Sequence, residues 1–392
     1  MTSICILSLD ATRRGGEGVY TAGLAVRLAQ RGHRVTVLCQ EASDEVQRHC
    51  EVKRLAKPKP DRDWGLWRLA AALQVRDYRR QLTALRLEPS ELVIGSAEPL
   101  LRAYYQTVTG VPLIYVPHSL VAPLEVASYP TVSSLQRRVT VWVYDRLQRW
   151  SLNQAAFTIR FTETACDALR DHYGKRVQAR FEVLPIPVTI PPAGARNGIC
   201  RPVRLLSVGR LVQTKNLDFL LRGLGARKHL DWRLDIVGDG EERAPLEGLC
   251  RQIGLADRVR FHGHCDDVVP HYRNADLFVF PSRLENSPLV LLEAMSHGLP
   301  SLSLLADGSR YVNANHELVC DGRDGFLAKS EGDFWARLET LLREPDRLRG
   351  VGDRARETVC ARNAWDRHLD RLQRLIAEAC MTTQTQLLKA AT

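Results

Sequence analysis

Short apolar runs alternate with segments of helical spacing twice along this chain, and that alternation limits the folds open to it. The first apolar run, Ser3–Leu9, leads into a polar, glycine-bearing loop at 10–18. From Val19 to Arg31 the apolar residues, Leu24 and Leu28 among them, fall at helical spacing, and Gly32 suits a helix C′ position. Val35–Leu38 then reads as the next strand, so the chain opens with a βαβ unit, the seed of a parallel sheet. Leu92–Ile94 and Leu113–Val116 read as further buried strands. The pattern then breaks at a cluster of prolines, Pro185, Pro187, Pro191, Pro192 and Pro202. It resumes with Arg204–Val208, Leu217–Leu224, Arg233–Val237, Leu246–Ile253, Val259–Phe261, Leu277–Phe280 and Leu289–His297. The expectation is an α/β protein with two Rossmann-like, doubly wound domains, 1–182 and 203–363, joined by a linker at 183–202. An amphipathic helix at about 364–380 and a patternless tail, 381–392, complete the chain.

A chain of 392 residues with a net charge of +10 favours anionic partners. No dense Lys/Arg stripe or base-reading motif is present, so phosphorylated small molecules fit better than nucleic acid. Ten cysteines without a C-x-x-C pair read as reduced thiols. No leader is visible and no apolar run approaches the ~18 residues needed to cross a bilayer, so the expected location is cytoplasmic. Peripheral contact with the inner face of the membrane stays open. Trp142–Trp150 mixes aromatics with Arg146 and Arg149, just after Arg137 and Arg138, although a helix whose aromatics face the core is the simpler reading.

Chemistry concentrates where strands end. The buried run Leu277–Phe280 empties into a polar loop containing Glu285. Ser287 then suits a helix cap, Pro288 a first helical position, and Gly298 with Pro300 a helix stop. A helix N-terminus at the carboxyl edge of a parallel strand is where α/β sheets bind phosphates, so the amides of Leu289 and Val290 are candidate diphosphate donors. Glu293 lies within that helix. A second loop, from Gly209 to Asn216, projects Arg210 and Lys215 toward the same sheet edge, where two cations can neutralise a departing diphosphate as a metal does elsewhere. Gly238-Asp239-Gly240 and Gly16-Glu17-Gly18 each begin a G-x-G-x-x-G string but carry Arg243 and Thr21 at the last position, which argues against a dinucleotide dehydrogenase. His262, His264, Cys265 and His271 fit no standard zinc spacing, and His262 reads as a wall residue of the pocket. Asp61-Arg62-Asp63 is a D-x-D string in a charged loop rather than after a strand, which argues against a metal-dependent transferase.

Glu285 and Glu293, in their P-S…G-x-P frame, resemble the E-x7-E motif of the family 4 retaining glycosyltransferases. Gly209, Arg210 and Lys215 resemble that family's G-R-x4-K signature. The resemblance implies a GT-B fold, with two domains facing a central cleft and the 364–380 helix packing back on the first. It implies that Glu293 holds the ribose of a nucleotide-sugar donor, UDP-sugar favoured, and that Glu285 sits beside the sugar. Gly15 and Gly16 would approach the donor phosphates, Gly238 would form the G-D-G turn, and His118 would face the reacting sugar. Arg210, Lys215, Glu285 and His118 are thus the expected catalytic set, with no metal and no cofactor. The acceptor would be a saccharide, a lipid-linked or a small molecule, in glycan, glycolipid or natural-product biosynthesis. A non-catalytic nucleotide-sugar-binding subunit, a sugar phosphorylase and a sugar-nucleotide epimerase are the alternatives. The chain departs from the family at Leu184–Val188, and again at 307–317, where Asn313, Asn315 and His316 align loosely with a donor-sugar turn.

Overall fold

The computed structural model describes residues 1–12, 15–58, 70–118, 134–192, 199 and 201–391, with backbone only at 70–72, 134–137, 384 and 386–391. Asp61-Arg62-Asp63 and part of the expected linker lie outside them. The chain forms two compact units, Met1–Pro185 with His368–Thr392, and Ile186–Arg367.

In chain order the first unit contains β1 (Ser3–Leu7), β2 (Asp10–Ala11), α1 (Gly15–Gln30), β3 (Arg34–Cys39), β4 (Glu41–Ala42), α2 (Asp44–His49) and β5 (Glu51–Arg54). Then come α3 (Ala70–Leu85), β6 (Leu92–Gly95), α4 (Glu98–Tyr104), β7 (Leu113–Tyr115), α5 (Ser134–Gln154), β8 (Phe157–Arg160), α6 (Glu163–Tyr173) and β9 (Phe181–Val183). Seven strands pair in the order β5-β3-β1-β6-β7-β8-β9, all parallel. Helices covering such a sheet bury both its faces, which is why β1, β6 and β7 are apolar runs rather than alternating ones. Leu7, Val93, Leu113 and Tyr115 pack with Leu100 and Tyr104 of α4 and Leu152 of α5.

The second unit contains β10 (Val203–Val208), α7 (Leu217–Gly225), β11 (Trp232–Val237), α8 (Arg243–Gln252), β12 (Val259–Gly263), α9 (Val269–Asn274) and β13 (Leu277–Phe280). It continues with α10 (Leu289–Ser296), β14 (Ser301–Leu304), α11 (Asn315–Leu318), β15 (Phe326–Ala328), α12 (Glu331–Arg343) and α13 (Val351–Arg362). Its parallel sheet runs β12-β11-β10-β13-β14-β15. The β10–β13 register is tied at its amino end by Asp276, whose buried carboxylate accepts from the Arg204 guanidinium at 2.7 and 2.9 Å and from the Arg204 amide at 2.9 Å. Removing the Arg204 side chain would leave the buried Asp276 carboxylate with the backbone amide alone, at a cost of about 3–5 kcal/mol.

Four expectations need correction. Helix α1 begins at Gly15 rather than at Val19, so Gly15 and Gly16 form its first turn, with Gly15 at φ +71°, a left-handed value that suits glycine. The early part of the proline-rich stretch is not free: the Val188 amide donates to Asn363 O at 2.8 Å and Asn363 Nδ2 to Ile186 O at 2.8 Å, within the second unit. The last helix, α14 (Trp365–Ala391), runs through the expected tail. No Gly or Pro interrupts it, and Thr382, Thr383 and Thr385 satisfy their hydroxyls on carbonyls one turn back. On α5 the aromatics divide. Trp150 packs under Arg102 and against Tyr105, but Trp142 is 59% exposed beneath Arg146.

Candidate active site

Each sheet has one place where consecutive crossovers depart in opposite directions, and ligands of open α/β sheets bind outside the strand ends there. In the second unit this place lies between β10 and β13. The loop after β10 carries Arg210 and Lys215; the loop after β13 carries Glu285 and leads into α10. Sequence spacing gives each loop separately, and the topology brings them together.

The loops are stitched by specific bonds. The Arg283 amide and the Ser282 hydroxyl approach Thr214 O at 2.8 and 3.2 Å, and Asn216 Nδ2 donates to Pro281 O at 3.2 Å. Asn216 is fully buried at φ +59°, a left-handed turn that asparagine tolerates, and it redirects the chain into α7. Lys215 Nζ donates to Glu285 Oε1, which lies 2.6 Å from the Ser282 hydroxyl. Arg210 is exposed, and its guanidinium has no partner among the described residues. The site therefore presents a neutralised Lys–Glu pair beside an open cation.

Gly238 is held to glycine by the Gly209 carbonyl, and Gly209 by its own φ of +151°. A Cβ on Gly238 would lie 1.9 Å from Gly209 O, and one on Gly240 would lie 2.3 Å from Leu211 O. The G-D-G turn is thus the bed on which the Arg210 loop rests, held by Leu211 N donating to Asp239 O at 2.9 Å.

Helix α10 starts at Leu289, with Val290 next and Pro288 as its cap residue. Ser287 does not cap it; its hydroxyl is buried without a partner among the described residues. Glu293, one turn in, is half-buried. Desolvation pushes its carboxyl above the usual carboxylate range, while a hydrogen bond from the Tyr272 hydroxyl at 2.9 Å opposes that rise. Asn313 and Asn315 do not reach out as sugar contacts. Both are buried and both donate to Leu304 O, at 3.2 and 3.0 Å, bracing the loop whose Val312 pairs with Arg283 and Glu285. His316 is exposed. His262 lies on the edge strand β12, two strands from the β10–β13 junction, with Nε2 2.6 Å from Asp235 Oδ1 and its ring 4.5 Å from that of His271. No group of three or more His, Cys, Asp or Glu among the described residues is arranged to hold a metal.

The first unit's junction falls between β1 and β6, and there Ser8 and Ser96 both donate to Glu17 Oε1, at 3.1 and 2.6 Å. Glu17 follows Gly15 and Gly16 in the first turn of α1. His118, beyond β7, sits edge-on to Tyr20 and against Phe161, at 5.3 and 5.5 Å between rings. Burial lowers its pKa, with Glu17 pulling the other way, so the ring is neutral near pH 7.

Residues 14–190 match the family described as Glycosyltransferase Family 4, and residues 199–358 match Glycosyl transferases group 1. The chain belongs to the family 4 glycosyltransferases. An uncharacterized glycosyltransferase of Haemophilus influenzae is 32% identical over 157 residues, 39% of this chain and 43% of that one. The D-inositol 3-phosphate glycosyltransferase of Geodermatophilus obscurus is 27% identical over 391 residues, 91% of this chain and 83% of that one. The chain spans less than half the length of the first curated relatives that it matches. HepE of Anabaena, solved with UDP-glucose, superimposes with a TM-score of 0.68 at 18% identity, covering 99% of this chain and 100% of that one. The shared architecture of two parallel-sheet α/β domains is the GT-B fold.

Within this family 4 chain, sequence reading missed Ser282, Tyr272 and Glu17. Ser282 sits three residues before Glu285, a spacing that hints at a local hydroxyl–carboxylate contact. Nothing in the sequence links Tyr272 to Glu293, 21 residues on, or Glu17 to Ser96, 79 residues on.

Proposed function

We propose that this chain is a retaining glycosyltransferase that moves a sugar from a nucleotide-sugar donor, UDP-sugar favoured, to an acceptor hydroxyl. The observation that carries the reading is the meeting of Arg210, Lys215 and Glu285 at the β10–β13 junction, beside the N-terminus of α10. A diphosphate there meets the Arg210 guanidinium, the Lys215 ammonium and the positive end of a helix. Its ribose reaches Glu293, and the sugar lies toward Glu285. HepE, of the same fold, binds UDP-glucose, which supports the uridine choice.

In the proposed reaction the acceptor oxygen bonds to the anomeric carbon from the face that the leaving group occupies. The bond from that carbon to the phosphate oxygen breaks, and the departing diphosphate takes the acceptor's proton. Arg210 and Lys215 stabilise the charge that develops on the phosphate, a contact stronger in the transition state than in the ground state. No resident metal enters the scheme. Among the described residues no helix is long and apolar enough to cross a membrane. The outward face of α5, with exposed Arg138, Val139, Trp142 and Arg146, complements an anionic bilayer, which favours an acceptor presented at the inner membrane face.

The test is a panel of nucleotide sugars assayed for nucleotide release, first alone and then with saccharide and lipid-linked acceptors. The anomeric configuration of the product is read by NMR. Release from one donor, increased by one acceptor class, with the donor configuration kept, is the expected result. Binding of every donor without turnover would turn the assignment toward a non-catalytic subunit.

A further inference from the structure

Tyr272 lies on the short helix α9, is 1% exposed, and donates its hydroxyl to Glu293 Oε2 at 2.9 Å. Its ring is stacked on His297 at 5.3 Å and 14° between planes, and meets Phe278 at 6.2 Å. Burial and these two ring contacts leave the hydroxyl little freedom. Two acceptors lie within reach of its single proton, Glu293 Oε2 and, at 3.4 Å, Val290 O. The shorter, charge-assisted bond to the carboxylate is the stronger. No described residue hydrogen-bonds to Glu293 Oε1. A phenylalanine would fill the same space and make the same stack, so packing alone does not account for the oxygen.

We propose that Tyr272 is the positioning residue for Glu293: by engaging Oε2 it fixes the carboxylate and leaves Oε1 to accept from the ribose hydroxyls of the donor nucleotide. The inference rests on the donor-site reading of Glu293. The same bond favours the ionised carboxylate in a place where burial disfavours it, and an ionised carboxylate is the better acceptor for two hydroxyls.

The test is calorimetric binding to the full chain with two probes, UDP and 2′,3′-dideoxy-UDP, replaced by the adenosine or guanosine pair if ADP or GDP binds more tightly. Four proteins are compared: wild type, Tyr272→Phe, Glu293→Gln and the double variant. Tyr272→Phe is expected to weaken UDP about tenfold, the loss of one charge-assisted hydrogen bond, and to leave the dideoxy probe within about twofold. The double variant should bind UDP no more weakly than Glu293→Gln alone. If Glu293→Gln weakens UDP while Tyr272→Phe keeps the wild-type ratio between probes, Tyr272 is a packing residue and the inference is overturned, with the donor reading intact. Equal weakening of both probes by Tyr272→Phe overturns it as well. If Glu293→Gln leaves UDP affinity unchanged, or no nucleoside diphosphate binds, the donor reading itself falls. Because the probe ratio is taken within each variant, a partly destabilised protein still gives a readable answer.

Discussion

Lys215 and Glu285 form an ion pair that is largely withdrawn from water, whereas Arg210 faces solvent alone, so the two cations of one signature should respond differently to substitution. Arg210→Ala removes a charge that matters most as the phosphate departs. It should lower kcat by ~10²-fold or more, near 2.7 kcal/mol of transition-state stabilisation, and leave the melting temperature within about a degree or two. Lys215→Ala should lower kcat similarly but also strand the Glu285 carboxylate beside Ser282, costing about 1–3 kcal/mol of stability. Adding Glu285→Gln should restore much of that stability and none of the rate. Steady-state kinetics beside urea unfolding separates the cases; an Arg210→Ala variant with wild-type kcat would remove Arg210 from the chemistry. These three residues were legible because each follows an apolar run by a few positions, which puts it on a loop at a strand's carboxyl end. Asn313 and Asn315 were misread for a chemical reason: an amide suits a sugar hydroxyl and a backbone carbonyl equally well, and only burial showed that Leu304 O takes both. Tyr272 was illegible because its partner lies on another element.

Helix α14 rejoins the first unit through His368, which is buried against the residue where that unit's other segment ends. Pro185 O can only accept, so His368 Nδ1 carries the proton that is donated there at 3.1 Å, and Nε2 accepts from the Tyr20 hydroxyl at 3.1 Å. Burial lowers its pKa to about 4 from an ordinary 6.5. The unfolded chain therefore binds the proton more tightly than the folded one. Stability from this neutral histidine is fully present above about pH 6.5 and is lost as pH falls toward 4, with a ceiling of about 3 kcal/mol. Denaturant unfolding between pH 7.5 and 4.5 should show that loss in wild type and a shallower one in His368→Gln; parallel slopes would dismiss the histidine as the cause. On α5 the expected outcome concerns surface chemistry. Sedimentation with phosphatidylserine-containing vesicles should carry the protein down at low salt, and Trp142→Ala with Arg146→Glu should abolish it; equal pelleting by neutral vesicles would argue against charge-guided docking. The existence of these helices was readable from apolar spacing, but their limits were not. Helix α1 starts earlier because glycines can open a helix as well as a loop, and α14 runs on because threonines can bond back to their own helix.

Two sheets of parallel strands were readable from the repeated alternation of buried runs and helices, since parallel neighbours require crossovers. Strand order was not readable, because a crossover can go to either side of the strand it leaves. That choice makes the β10–β13 junction and so decides which loops share a site. The junction carries a consequence for the whole reaction. A diphosphate leaving a sugar needs positive charge at the phosphate, which a divalent metal or fixed protein charges can supply. Here Arg210 is unpaired among the described residues, Lys215 stands at the same junction paired with Glu285, and α10 adds its N-terminal dipole. Turnover should therefore survive chelation, with kcat/KM in EDTA within about twofold of that in magnesium, because the protein's own cations are preorganised. The Arg210→Ala variant is the sharper probe. If fixed charge is what the reaction uses, millimolar magnesium should recover little of its lost rate. Activity abolished by EDTA and restored by magnesium or manganese in wild type would show that the cation at the phosphate is a metal, and would return Arg210 and Lys215 to binding roles.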